Sequence, residues 1–107
     1  MTPRTRTRRR PISEAELETY FRTAVKKLLR GHTVKLVPVE GGIPDRVVLL
    51  PGGQARFVEL KTNGGRPSAR QTVWVDRLGK LGFPAAILTG TAEVDAWVVA
   101  VQKELYT

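Results

Sequence analysis

The chain contains no cysteine. This excludes a disulfide scaffold, a zinc–thiolate site and a cysteine nucleophile. It has a single histidine, His32, which argues against a histidine-based metal site or a Ser-His triad. No apolar run approaches the roughly 18–20 residues that a membrane-spanning helix requires. The charged N-terminus lacks the apolar stretch of a signal peptide. Acidic residues are scarce, 10 against 18 Lys and Arg, so the formal net charge is +8. What is present is 107 residues with 41% hydrophobic content, enough for one folded domain and too little for two cores. The expectation is a soluble intracellular domain attracted to polyanions.

The positive charge is unevenly placed. Residues 1–12 hold Arg4, Arg6, Arg8, Arg9 and Arg10 and no acid, while residues 13–107 hold 13 basic and 10 acidic side chains, a balance of +3. Residues 1–12 therefore read as a basic flexible arm able to track phosphates, followed by a domain over 13–107. Ser13 and Glu16 have the spacing of a capping box, with Ile12 and Leu17 as its hydrophobic staple. Leu17, Tyr20, Phe21, Ala24, Val25, Leu28 and Leu29 then recur at helical spacing, predicting a helix over 14–30 that Gly31 stops. Strands are expected at 33–39, 46–50 and 55–61, the last two forming a hairpin around a turn at 51–54. Ser68 and Gln71 form a second capping box, opening a helix that ends at Gly82. A short strand at 85–89 precedes a final helix capped by Thr91. The order αβββαβα implies an α/β fold, a mixed sheet flanked by helices.

In so basic a chain the positions of the acids are informative. Asp45 lies at the mouth of the strand 46–50, and Glu59 lies inside the strand 55–61. A hairpin folded at 51–54 pairs residues whose numbers sum to about 105, which sets Asp45 opposite residue 60, beside Glu59. Lys61 shares the face of Glu59, two residues on. Two carboxylates and a lysine suit a hard divalent cation such as Mg²⁺, which takes oxygen ligands and retains waters. Such a cation polarises a phosphoryl oxygen and activates water, and the lysine steadies the attacking water or the developing charge. A Glu59–Lys61 surface ion pair with Asp45 capping a turn explains the same residues without chemistry.

The pieces GGIPDRVVLLPGG, RFVELKTNGGRPSARQ and LGKLGFPAAIL together resemble the virus-type replication-repair (VRR-NUC) branch of the PD-(D/E)XK nuclease superfamily. The resemblance extends from about Glu14 to about Trp97. It implies a PD-(D/E)XK nuclease core and a metal-dependent DNA endonuclease. It assigns Asp45, Glu59 and the backbone carbonyl of Leu60 as ligands of Mg²⁺ or Mn²⁺, and Lys61 as the residue that orients the water. Gln71 matches an active-site glutamine of the family, although its place in the capping box also accounts for it. The family further carries a metal-proximal glutamate on its first helix. Glu14 is the first choice here, because it flanks the apolar stripe near the helix end, and Glu18 is the second; Glu16 is already used by the cap.

The resemblance to stand-alone members of the branch implies action on branched DNA, including Holliday junctions, and pairing as a homodimer. Small size and resemblance together imply a cytoplasmic protein of phage or prophage source, with neither a membrane partner nor an organic cofactor. Arg46, Arg66 and Arg70 surround the acids in sequence and join Arg8, Arg9 and Arg10 as expected DNA contacts. Gly41 and Gly42 are expected to let their loop pass close to the substrate, or simply to make a turn. Trp74 and Trp97 read as core residues, and His32 as a loop residue. The alternatives are a restriction- or repair-type endonuclease subunit with another target, and a non-catalytic basic nucleic-acid-binding protein.

Overall fold

A computed structural model describes residues 11–106, so Arg8, Arg9 and Arg10 and the rest of the expected arm up to residue 10 lie outside the described residues. Four strands make one mixed sheet in the order β1-β2-β3-β4: β1 (His32–Lys35), β2 (Arg46–Leu50), β3 (Gln54–Lys61) and β4 (Ala85–Thr89). β1 pairs with β2 and β2 with β3 antiparallel, and β4 lies parallel to β3. The parallel pair requires a crossover, which α2 (Ala69–Lys80) supplies. α1 (Glu14–Ala24) precedes the sheet and α3 (Gly90–Tyr106) follows it. The αβββαβα order expected from the sequence is therefore the observed one.

α1 starts where the capping box places it. Ser13 Oγ accepts from the Glu16 N–H at 3.1 Å, and Glu16 Oε1 accepts from the Ser13 N–H at 2.9 Å. Ile12, the last residue assigned to the arm, packs against the core. Beyond Ala24 the helix widens into a π-helical extension, Val25–Leu29. This explains a difference from the expected stripe. The buried residues are Leu17, Phe21, Val25 and Leu29, spaced by four, whereas Tyr20 and Leu28 are exposed. Steps of four overshoot an α-turn by about 40° each. The wider i→i+5 turn rotates less per residue and swings Leu29 back onto the buried face. The helix is closed by Arg30 in the left-handed region (φ 56°), not by Gly31. Gly31 serves a close approach instead, because a Cβ there would lie 2.9 Å from both the Leu49 carbonyl oxygen and Leu50 Cδ2 of β2.

β1 is shorter than expected. The Leu36 N–H still donates to the Asp45 carbonyl at 2.6 Å, and the chain then leaves the sheet through Val37-Pro38-Val39. Pro38 has no N–H to continue a ladder. His32 opens β1 instead of lying in a loop. α3 also differs from expectation. It begins at Gly90, directly after β4, and Glu93 Oε1 accepts from the Thr89 N–H at 2.8 Å. That bond satisfies the helix start without Thr91, which lies inside the helix.

Val48, Leu50, Val58 and Leu88 from alternate strand positions join Leu17, Phe21, Val25 and Leu29 and the α3 residues Val94, Val98 and Val101 in one core. Trp97 packs against it, its ring 5.5 Å from that of Phe21. Leu78, the buried residue of α2, is not part of this core, so α2 covers the opposite face of the sheet, against β4. Val58 and Leu60 point toward α1 and α3. By the period of two, Glu59 and Lys61 point to the other face.

Candidate active site

The β2–β3 register decides the geometry. The connection is a three-residue turn, 51–53, in which Gly52 (φ 85°) and Gly53 (φ 77°) adopt positive φ. Gln54 therefore already pairs with Leu50, and Arg46 pairs with Val58. The rung numbers sum to 104, one less than expected, and the next rung sets Asp45 against Glu59 rather than Leu60. A one-residue slip exchanges faces, so this register puts Asp45 and Glu59 on the same face and directly opposite each other. The Asp45 N–H donates to Glu59 Oε1 at 3.2 Å. Lys61 follows on the same face, its stem alongside Gly65 and its backbone beside Thr89 of β4.

The environment of Glu59 holds its carboxyl above the usual carboxylate range. Burial is the main cause and the negative charge of Asp45 the second. The hydrogen bond from the Asp45 backbone and the positive charges of Lys61 and Arg46 pull the other way without cancelling them. Two carboxylates thus share one half-buried rung with a deficit of positive charge. Among the described residues no third Asp, Glu, His or Cys joins them as a metal-holding group.

The loop that carries Asp45 is seated on α2. A Cβ on Gly42 (φ 94°) would lie 2.7 Å from Arg70 Cβ and 2.8 and 2.9 Å from its backbone carbon and oxygen. One on Gly41 would meet only the tip of the Arg70 side chain, Nη1 at 3.1 Å. The two glycines therefore let the loop approach the first turn of α2. Pro44, just before Asp45, is fully buried. Gln71 is in that same turn. Its Oε1 accepts from the Ser68 N–H at 2.9 Å, while its own N–H donates to Ser68 Oγ at 3.1 Å. The cap thus occupies the carbonyl end of the side chain and leaves the amide end for other work.

The structure does not bring every expected residue to the site. Arg46 is buried and forms an ion pair with Glu18, so it cannot reach an external phosphate as expected. Lys35 adds a second contact to Glu18 at 3.4 Å. Glu14 is exposed in the first turn of α1 and, among the described residues, makes no hydrogen bond or ion pair. Glu18 is the first-helix glutamate connected to the β2 end, through Arg46. A signal for this was present, because an arginine on the core side of an apolar strand needs a buried partner. Arg66 and Arg70 are exposed on the α2 side. Trp74 lies outside the core and carries the Arg77 guanidinium 4.7 Å from its ring centre. A large open groove along α1, lined by Ile12, Tyr20, Leu28 and Asp95, contains none of the site residues.

Comparison with known proteins identifies the family. The VRR-NUC domain family matches residues 6–92. A protein named "Putative nuclease p44", from Acyrthosiphon pisum secondary endosymbiont phage 1, is 38% identical over 80 residues, which span 74% of this chain and 85% of that protein. A solved VRR-NUC domain has a TM-score of 0.71 at 27% identity, over 88% of this chain and 97% of its own. A second, described as a VRR-NUC domain protein, shares the fold with a TM-score of 0.64 at 17% identity, over 91% of each chain. The chain belongs to the VRR-NUC family, a nuclease fold of the PD-(D/E)XK type whose substrate is nucleic acid.

Proposed function

We propose that this protein is a Mg²⁺- or Mn²⁺-dependent DNA endonuclease that cuts branched DNA, Holliday junctions among them, as a homodimer in the cytoplasm of a phage-bearing cell. The observation that carries the reading is the Asp45–Glu59 rung with Lys61 beside it. The donor set fits a hard divalent cation. It consists of oxygen, and its two like charges oppose each other, which a bound cation would relieve. Asp45, Glu59 and the Leu60 carbonyl would hold the ion. When bound, it supplies Lewis acidity toward the phosphoryl oxygen and makes water a better nucleophile.

The chain's own residues do the rest. The Lys61 side chain offers hydrogen-bond donors and no acceptor, so it orients water by donation and steadies the charge that develops on phosphate. The amide end of Gln71 donates toward the same region. Arg66 and Arg70, on the open side of the site, hold phosphates flanking the cut, and residues 1–10 add phosphate contacts that raise affinity for any DNA. One domain carries one set of these residues and cuts one strand; symmetrical cutting of a junction needs a second copy. The phage origin of the relative supports the proposed source.

The test uses labelled junction, flap, duplex and single-stranded DNA, with Mg²⁺ or chelator, and with wild type or Asp45→Ala. Cleavage of the junction is expected only for wild type with Mg²⁺. Mg²⁺ should also raise the unfolding temperature of wild type and not of Asp45→Ala, since a ligand stabilises the state that binds it. Cleavage that survives either the chelator or the substitution overturns the mechanism. Binding without cleavage by wild type makes the protein a binder.

A further inference from the structure

The loop between β1 and β2 has two unlike halves. Its returning half is fixed: Gly42 lies against the Arg70 backbone and Pro44 is buried. Its base is also closed, because the Leu36 N–H bonds to the carbonyl of Asp45. Its outgoing half, Val37-Pro38-Val39, stands in solvent, with Val37 93% and Val39 100% exposed. Single exposed apolar residues are ordinary. Two fully exposed β-branched residues around a proline, on a loop anchored at both ends and springing from a candidate ligand residue, are not.

The segment is also stiff. Proline fixes its own φ and holds the residue before it extended, and valine has few rotamers to lose. Little entropy therefore remains to be lost when this tip is enclosed. Each flank carries a cation, the half-exposed Lys35, shared with Glu18, where the loop leaves and Arg70 where it returns. Glu40 is the one acid at the tip. A rigid apolar point between cations, a few residues from the reacting centre, matches nucleic acid whose bases are already partly unstacked. Phosphates meet the flanks and base faces meet the tip.

We propose that Val37-Pro38-Val39 is an apolar wedge that enters between the unpaired or loosely stacked bases of branched DNA beside the bond to be cut. This rests on the nuclease reading of the same site and adds what selects its substrate. The wedge contributes nothing on continuous duplex, where entry requires breaking a full stack, and contributes most where a branch has already opened one.

The experiment uses the full chain and a double substitution, Val37→Ser with Val39→Ser, against Val37→Leu with Val39→Leu as the apolar control. The first readout is independent of cleavage. In a Glu59→Gln background, binding to a four-way junction with 2-aminopurine at the branch point should brighten the probe, because the base loses its neighbour. The serine pair should remove the brightening and the leucine pair should keep it. The second readout is the ratio of junction to duplex cleavage with Mg²⁺. The serine pair should lower it about tenfold, the scale of one lost base contact, with duplex cleavage unchanged. Unchanged brightening, or an unchanged ratio, overturns the wedge. So does a dimer that becomes a monomer by sedimentation, since the tip would then be covered by a second copy. Wild type that brightens the probe but cuts nothing leaves the wedge standing and removes the nuclease reading.

Discussion

Replacing Gly42 with alanine tests whether the loop bearing Asp45 is held by its seat on α2. Two costs add at this position. The first is conformational: φ is 94°, where an L residue is strained by about 1–2 kcal/mol. The second is steric. The new Cβ would lie 2.8–2.9 Å from the Arg70 backbone carbon and oxygen, which cannot rotate away as a side chain tip would. Relieving such overlap costs about 1–3 kcal/mol.

A built-in control separates the two. Gly52 has a similar φ of 85° with nothing within 4 Å, so Gly52→Ala carries the conformational cost alone. In both variants the stiffer unfolded chain returns about 0.4–1 kcal/mol. The net expectation is a loss of roughly 1 kcal/mol for Gly52→Ala and roughly 2–4 kcal/mol for Gly42→Ala. In a domain this size that is about 4–8 °C against about 8–30 °C in unfolding temperature. Urea unfolding followed by the fluorescence of Trp74 and Trp97 measures it. Gly41→Ala, which meets only the movable Arg70 guanidinium, should behave like a surface change. Nuclease activity of Gly42→Ala should fall further than stability predicts, because Asp45 shifts with its loop. Equal losses for Gly42→Ala and Gly52→Ala would show that the seat does not hold the loop.

Other expectations follow from the same contacts. Glu59→Gln should abolish cleavage yet stabilise the protein in chelator at neutral and alkaline pH. A carboxyl whose pKa is raised on folding penalises the fold once ionised, a penalty that grows above the unfolded pKa, so the gain should disappear in acid; equal stability of the two proteins at pH 8 refutes it. Ser68→Ala and Gln71→Ala break the same cap and should each lower stability by about 0.5–2 kcal/mol, but only Gln71→Ala should also lower kcat; equal kcat would leave Gln71 a capping residue. Glu18→Ala leaves buried Arg46 without its ion-pair partner and should cost about 1–3 kcal/mol in chemical denaturation, more than Glu14→Ala, which should be near neutral. Removing residues 1–10 deletes five arginines and should flatten the logarithmic salt dependence of DNA binding by up to about four or five, at about 0.9 per phosphate; an unchanged slope means the arm touches no phosphate.

The fold was legible because its elements announce themselves locally. Two capping boxes fix the starts of α1 and α2, and β4 was bounded without error by an apolar run between Pro84 and Gly90. What escaped depends on quantities that composition does not encode. Pro51-Gly-Gly-Gln54 reads as a four-residue turn, whereas the folded backbone uses three, which moves every rung by one. The same limit separates Glu14 from Glu18. The two are four residues apart and lie along one side of α1, so helical periodicity cannot choose between them; they differ in position along the axis, and Glu18, one turn in, is the one that meets Arg46. The requirement ran from the strand to the helix. Arg46 follows Asp45 directly, so the alternation that aims Asp45 at Glu59 must aim Arg46 into the core, where a guanidinium survives only beside a carboxylate. The spacing of the acid pair therefore already implied an acid on the packing helix within reach of Arg46. Strand alternation read before helix periodicity points to the Arg46–Glu18 pair.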